Sequence, residues 1–478
     1  MGLVPMKFDP PTADVQHLEA LLRNGKVTSE DLVKQYLFMV QVYDKRLHAM
    51  IETTPEELLI QRARELDDER RIGPVKGPLH GIPVILKLID SGAIIFGKSN
   101  MSEFANFRGS AHGHTDGWSA VGGQAQSAYV RGGFRDDDGE MGHSSPAGSS
   151  TGSAVAVSAG YAPISIGVET DGSLISPAGR AALYTIKPTM GLVPQEGIIP
   201  VTRLFDSAGP MAKSVYDIAI LLDAISNHNE SFVNNMRDGS WENLSVATLD
   251  PHVWKFPDSF IKPVAEADEQ IYSDIADAYN VIKNKAKKFV ENVALPTADS
   301  FYYGDENSLL TVLEADMKPQ LNEYLKDFLE ESKVRSLEEI IEFNKSHAEE
   351  ELPPKHDSQD LFIQIQEQQQ LAPEEYEKRV NHFRKISRDQ GIDKILQEHN
   401  VDVILGPADS FITSFAAASG YPIACMPLSY LKFNGRPLAL AALAGRNQDA
   451  TLIKMMRAWE VTFPKREPPP LEILNQMT

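Results

Sequence analysis

Cysteine is almost missing from this chain of 478 residues: Cys425 stands alone, which excludes an intramolecular disulfide and points to a reducing compartment. Set in Pro422-Ile423-Ala424-Cys425-Met426-Pro427, it reads as a buried small hydrophobe. Long apolar runs are missing too, and none approaches the ~20 residues that span a bilayer. Positive charge is scarce: 46 Lys and Arg face 67 Asp and Glu, for a net charge of −21 and a pI near 5.0. Without clustered cations the chain cannot grip phosphate, so nucleic acid and anionic membrane are excluded as partners. The excess acid lies mostly in the second half and serves solubility. The segment Met1–Lys7 lacks a cationic-then-apolar signal pattern. Met6 also stands where a myristoylation motif prefers Ser or Thr. Internal repeats and long low-complexity tracts are absent as well. The expectation is a soluble, cytoplasmic protein.

Small residues and short apolar runs dominate the first half. A helix is predicted from Val15 to Leu22, capped by Thr12 or Asp14 and stopped by Gly25, and a second through Met39 behind a Thr28–Asp31 capping box. From about residue 80 to 225, short apolar strands alternate with small-residue helices, the pattern of a sheet covered on both faces. Composition shifts near Asn227, and charged helical spacing follows in Val281–Val290, Leu337–Phe343 and Tyr376–Ile386. Charged helices with a narrow apolar stripe form a peripheral layer. Strand signals return at Val401–Leu405 and Tyr421–Leu428, before a last helix from Asp449 to Val461. The expected architecture is one α/β domain whose sheet is covered by helices on both faces. Residues 1–226 and 400–478 form its core, and about 227–399 form a peripheral helical insertion.

Two serines, 24 positions apart, stand out within the first half. Ser149 lies in Gly148-Ser149-Ser150-Thr151-Gly152-Ser153 and Ser173 in Glu169-Thr170-Asp171-Gly172-Ser173. A short helix over Ala154–Gly160 and a buried strand over Pro163–Val168 separate them. Both serines then occupy loops at one end of a sheet, where α/β enzymes place their chemistry. After Ser173, Ser176 can cap a helix with Pro177 at its first position. Upstream, the apolar run Gly81–Leu86 ends in Lys87. A lysine among apolar neighbours can lose its proton near neutrality, which makes Lys87 a candidate base.

Other patterns carry less. Gly148-Ser149-Ser150-Thr151-Gly152 also fits a Gly-x-Ser-x-Gly nucleophile elbow with Ser150 reactive, but the turn-like Met141–Pro146 precedes it where an elbow needs a strand. His112 and His114 are two apart in a Gly-rich loop with no third ligand in helical register, so they read as a polar loop and no metal is expected. Asp136–Glu140 lacks the alternating spacing of a calcium loop and reads as a solvated turn.

Taken in order, these segments resemble the amidase signature hydrolases. The resemblance begins in the helices near Leu18–Leu37 and runs through Gly77–Pro83, Gly97–Ala105 and the serine segment to Gly191-Leu192-Val193-Pro194. It closes with Gly420-Tyr421-Pro422, Asn434-Gly435-Arg436-Pro437 and the final helix. It implies the amidase signature fold, an α/β fold with a large mixed twisted sheet covered by helices on both faces, and a Ser-Ser-Lys triad, with no metal or organic cofactor. Carried over, Ser173 is the nucleophile, Ser149 the bridging serine after a cis peptide, and Lys87 the base. Backbone N–H groups of Thr170, Asp171 and Gly172 form the oxyanion hole, and Ser150 hydrogen-bonds the lysine from behind. The implied substrate is a small amide. Family members usually continue past the lysine with a Thr-Thr-Ala-Gly-Ser-like stretch and a helix, whereas here Leu88-Ile89-Asp90-Ser91-Gly92 follows at once. The expected consequence is a short loop and a wider, wetter pocket. An amidotransferase subunit that supplies ammonia for charging glutamine onto transfer RNA, and a shortened non-catalytic chain, are the alternatives.

Overall fold

Strands from both ends of the chain meet in one sheet. The computed structural model describes residues 6–85, 92–109, 116–227, 231–327 and 332–474. Apart from two small two-stranded hairpins, its strands are β1 (Met50–Thr53), β2 (Pro83–Ile85), β3 (Ile94–Ser99), β4 (Ile164–Glu169), β5 (Tyr184–Lys187), β6 (Ser207–Ala212), β7 (Ser245–Thr248), β8 (Lys288–Val290), β9 (Val403–Pro407), β10 (Ile423–Tyr430) and β11 (Pro437–Ala444). These eleven strands lie in the order β1-β3-β2-β4-β6-β5-β10-β11-β9-β7-β8. The neighbours β3, β2 and β4 run parallel, as do β9, β7 and β8. Antiparallel pairs join the stretch from β4 through β6, β5, β10 and β11 to β9. The sheet is therefore mixed.

Both faces are dry because alternate residues of the central strands enter different cores. Val403 and Leu405 of β9, Ala424 and Met426 of β10, and Leu440 and Ala442 of β11 face one core. Ile404, Ile423, Cys425, Ala439, Ala441 and Leu443 face the other. That period of two, with every residue apolar, is what a strand buried on both sides requires. Around the sheet pack α1 (Val15–Arg23), α2 (Ser29–Leu47), α3 (Glu56–Ile72), α4 (Thr151–Ser158), α5 (Ile175–Arg180), α6 (Val215–Ile225), α7 (Ala265–Lys283), α8 (Ser308–Asp327), α9 (Pro373–Arg384), α10 (Ile412–Ser419) and α11 (Asp449–Glu460). Among the described residues no helix is long and apolar enough to cross a membrane.

Local signals set several ends. Asp14 accepts from the His17 N–H and starts α1. The Thr28–Asp31 capping box is formed, and α2 continues past Met39 to Leu47. The predicted Val281–Val290 helix is corrected: α7 stops at Lys283, and Lys288–Val290 pairs in parallel with β7 at the sheet edge. Segment 227–399 thus contributes two strands of the large sheet, and a separate small hairpin, besides its helices. Helical spacing across 281–290 is a coincidence of composition that sheet pairing overrides.

One close approach seats the serine loop. The Gly152 N–H donates to the Asn100 carbonyl at 3.0 Å, and a Cβ on Gly152 would lie 2.3 Å from that oxygen and 2.4 Å from the Ala49 carbonyl. Beside it, Ser153 and Ser99 hydroxyls meet at 2.8 Å. Only glycine lets α4 dock on the chain leaving β3. Gly152→Ala is expected to lower unfolding stability by about 1–3 kcal/mol through overpacking. A urea titration followed by circular dichroism measures this, and an unchanged midpoint contradicts the steric account.

Candidate active site

The chain leaves β4 into a turn, Thr170–Leu174, and re-enters regular structure at α5. The Glu169 carboxylate, with no exposed surface, makes this turn by accepting the N–H groups of Leu174 at 2.8 Å and Ile175 at 3.1 Å. The predicted cap by Ser176 is corrected on that point: α5 begins at Ile175, two residues before Pro177, no side chain at its own cap position Leu174 bonds it, and Glu169 does the capping from the preceding strand. Gly172 takes φ +83°, a left-handed conformation that glycine adopts without strain. With Leu174 and Ile175 satisfied, the N–H groups of Asp171, Gly172 and Ser173 find no acceptor among the described residues. Neither does the Ser173 hydroxyl find a partner there. Ser173 is 7% exposed.

Neighbouring side chains brace the same turn. The Thr170 hydroxyl donates to Asp206 at 2.6 Å, and Ser414 of α10 donates to the Asp171 carboxylate at 2.7 Å. Burial pushes Asp171 up, opposed by its hydrogen bonds to Ser414 and Thr413. Glu169 is also pushed up by burial, with Lys187 pulling the other way. Lys187 ends β5, is fully buried, and donates to the Pro188 carbonyl at 3.1 Å. Burial lowers its ammonium to about 8, against the attraction of Glu169 and Asp449. It is the cation facing the acids of the turn.

The structure brings Ser149 to this turn. Gly148 packs on it so tightly that a Cβ there would lie 2.5 Å from Pro177 Cδ and 3.4 Å from Ser173 Cα. The Ser150 N–H donates to the Ser173 carbonyl at 3.3 Å, and the Ser102 N–H donates to the Ser149 carbonyl at 3.2 Å. Ser102 Oγ donates to the Gly148 carbonyl at 3.2 Å and accepts the Gly117 N–H at 2.7 Å. Ser149 is 3% exposed, and its hydroxyl has no partner among the described residues.

One expectation for this loop is corrected. No described peptide bond is cis, so Gly148–Ser149 is trans. The chain reverses instead through two successive left-handed residues, Ala147 at φ +60° and Gly148 at φ +61°, while Ser102 holds the two carbonyls that follow.

The Ser150 hydroxyl is committed to β4, donating to the Val168 carbonyl and accepting the Val168 N–H, each at 2.9 Å. Gly167 makes room, since a Cβ there would lie 2.6 Å from Ser150 Oγ. A hydroxyl saturated by one residue's backbone is poorly placed to act as an elbow nucleophile. Lys87, His112 and His114 lie outside the described residues. Among those described, no group of three or more His, Cys, Asp or Glu could hold a metal ion. Cys425 is fully buried, and burial pushes its thiol up. Sequence reading missed Ser102, Glu169, Lys187, Asp206 and Ser414. Only the acids Glu169 and Asp171, standing in an otherwise apolar and small-residue stretch, gave a signal.

Comparison with known proteins places this geometry in a class. Residues 84–453 match the family model Amidase; the chain belongs to that family, and its class is an amide hydrolase. A protein of Arabidopsis thaliana described as a probable amidase is 29% identical over 500 aligned positions, covering 97% of this chain and 92% of the relative. The native peptide amidase of Stenotrophomonas maltophilia superposes with a TM-score of 0.83 at 29% identity, covering 97% of this chain and 100% of that one. A glutamyl-tRNA(Gln) amidotransferase subunit of Staphylococcus haemolyticus is 23% identical, with coverage of 94% of this chain and 97% of the relative. The large mixed sheet is that of the solved amidases.

Removing the Glu169 carboxylate strands two buried N–H groups and leaves Lys187 without its first counter-charge. Glu169→Ala is therefore expected to lose on the order of 3 kcal/mol of stability, read as a fall in thermal midpoint. A midpoint equal to wild type would show that the turn holds without this cap.

Proposed function

We propose that the chain hydrolyses a small linear amide through an acyl-Ser173 intermediate. The observation that carries this reading is the coincidence, on one turn, of an unpartnered serine hydroxyl and three successive N–H groups without acceptors, beside a second unpartnered serine. Unpaired donors near the protein interior are costly and uncommon; aimed at a carbonyl oxygen that becomes anionic, they lower an acyl-transfer barrier.

In this mechanism Lys87, as the neutral amine, takes the Ser149 proton while Ser149 takes the Ser173 proton. Ser173 Oγ attacks the amide carbon, and the tetrahedral oxyanion is held by N–H groups of the Thr170–Ser173 turn. The proton returns through Ser149 to the departing amine, and water then cleaves the acyl ester. The assignment of Lys87 rests on the family resemblance. Topology supports it: β2 ends at Ile85 and runs parallel beside β4, so the C-terminus of β2 lies at the same end of the sheet as the serine turn that follows β4. Ser150 acts from behind, fixing the loop to β4.

The segment after Lys87 is shorter here than in the family pattern. The Arabidopsis alignment runs to 500 positions, more than the chain's 478 residues, so that relative carries residues within the aligned span that this chain lacks; their placement after Lys87 rests on the family pattern. The reading is a wider and wetter acyl pocket, in which Lys87 deprotonates at higher pH than in longer relatives.

Ser173→Ala is expected to lower amide hydrolysis by about 1,000-fold or more while the thermal midpoint stays put, since loss of a nucleophile removes the chemistry and little packing. Mass spectrometry after fluorophosphonate exposure should find the adduct on Ser173. An adduct on Ser150 would restore the elbow reading, and no adduct at all would favour a non-catalytic chain. Inserting a family-type segment between Lys87 and Leu88 should raise the rate and move its pH optimum down. Unchanged activity in Lys87→Ala would place the base elsewhere.

A further inference from the structure

A single chain of hydrogen bonds runs from the serine turn to two distant helices. It begins where the Thr170 hydroxyl donates to Asp206 Oδ1 at 2.6 Å. The other oxygen of Asp206 accepts the N–H groups of Val201 at 2.8 Å and Thr202 at 2.9 Å. The Thr202 hydroxyl donates to Asp316 Oδ2 on α8 at 2.6 Å, and the Tyr376 hydroxyl on α9 donates to Asp316 at 3.0 and 3.1 Å. Asp206, Thr202 and Asp316 are all buried.

The helix α8 reads this loop with one face. Asp316, Gln320 and Glu323 stand at i, i+4 and i+7, the spacing of one helical stripe. Gln320 Oε1 accepts the Arg203 N–H at 2.8 Å, and Glu323 pairs with the Arg203 guanidinium at 3.0 Å. Three successive contacts fix residues 202–203, and through them Asp206. Two buried carboxylates, Asp206 and Asp316, share this chain, and among the described residues neither has a cationic partner within salt-bridge distance. Such a pair costs stability relative to an apolar contact. In this chain the carboxylates only accept and the hydroxyl and N–H groups only donate, so Tyr376 acts on Thr170 through placement: it fixes Asp316, Asp316 fixes Thr202, and the Thr202 backbone fixes Asp206.

We propose that Asp316 and Tyr376 are positioning residues for amide hydrolysis, holding the Thr170–Ser173 turn in its oxyanion-binding geometry through Thr202, Asp206 and the Thr170 hydroxyl. The inference rests on the reading of Ser173 as the nucleophile. The chain ends on the Thr170 side chain and not on Ser173 itself, so its effect reaches the reaction through backbone placement. Displacing an oxyanion donor by a fraction of an ångström weakens it in the transition state and hardly touches ground-state binding.

The test is the rate of Ser173 phosphonylation by a fluorophosphonate in the full-length protein, resolved into a maximal rate and a half-saturating concentration. Tyr376→Phe removes one hydroxyl and is expected to cut the maximal rate about threefold. Asp316→Asn and Thr170→Val should each cut it tenfold or more. Half-saturation and thermal midpoint should stay within error for Tyr376→Phe, and Thr170→Ser should recover the wild-type rate because it keeps the donor. If the wild-type protein is labelled at Ser173 and Tyr376→Phe and Thr170→Val are labelled equally fast, the positioning role is wrong while the nucleophile stands. If Thr170→Ser is as slow as Thr170→Val, the hydroxyl is not the link and the proposal falls. Absence of labelling in the wild-type protein removes the nucleophile reading and this inference with it.

Discussion

The buried carboxylate of Glu169 is the contact on which the arrangement of the site depends. A strand that ends and turns at once into a short helix leaves backbone N–H groups without partners. Glu169 satisfies Leu174 and Ile175 and leaves the preceding groups open. The same carboxylate needs a cation, and Lys187 at the end of β5 provides the field that keeps a charge tolerable in the interior. Position of the turn, availability of its N–H groups and burial of a lysine thus follow from one side chain.

Around that contact the turn is held by three separate parts of the chain. Thr170 is tied to the loop before β6, Asp171 to α10, and the Ser173 backbone to the serine loop through Ser150 N–H. Gly148 and Gly167 matter because they have no side chain where the two loops and β4 meet. The geometry is therefore rigid by over-determination, which suits a site whose donors must be in place before the reaction begins. Ser102 adds a further brace by holding the carbonyls of Gly148 and Ser149.

Much of the fold was legible because its signals are local. Alternating apolar strands and small-residue helices announced a sheet covered on both faces, and Asp14 and the Thr28–Asp31 box marked helix starts that need only their own neighbours. The ordered motifs from Gly77 to Pro437 carried the family. What failed were boundaries decided at a distance. The Val281–Val290 stretch has helical spacing, yet three of its residues pair with β7. The start of α5 depends on Glu169, which acts from the strand before it, and not on Ser176 beside it.

The sequence by itself determined the α/β class, the family, and the two serines in small-residue loops, since composition, periodicity and motif order are properties of the chain alone. Tertiary structure decided which backbone N–H groups of the turn remain open, that the Gly148–Ser149 peptide is trans, and that the Ser150 hydroxyl belongs to Val168. It also decided that Asp206, Asp316 and Tyr376, far apart in the chain, stand in one line of hydrogen bonds with Thr170. Those facts depend on which oxygen lies within about 3 Å of which donor, and no spacing along a chain fixes a distance between segments so widely separated in it.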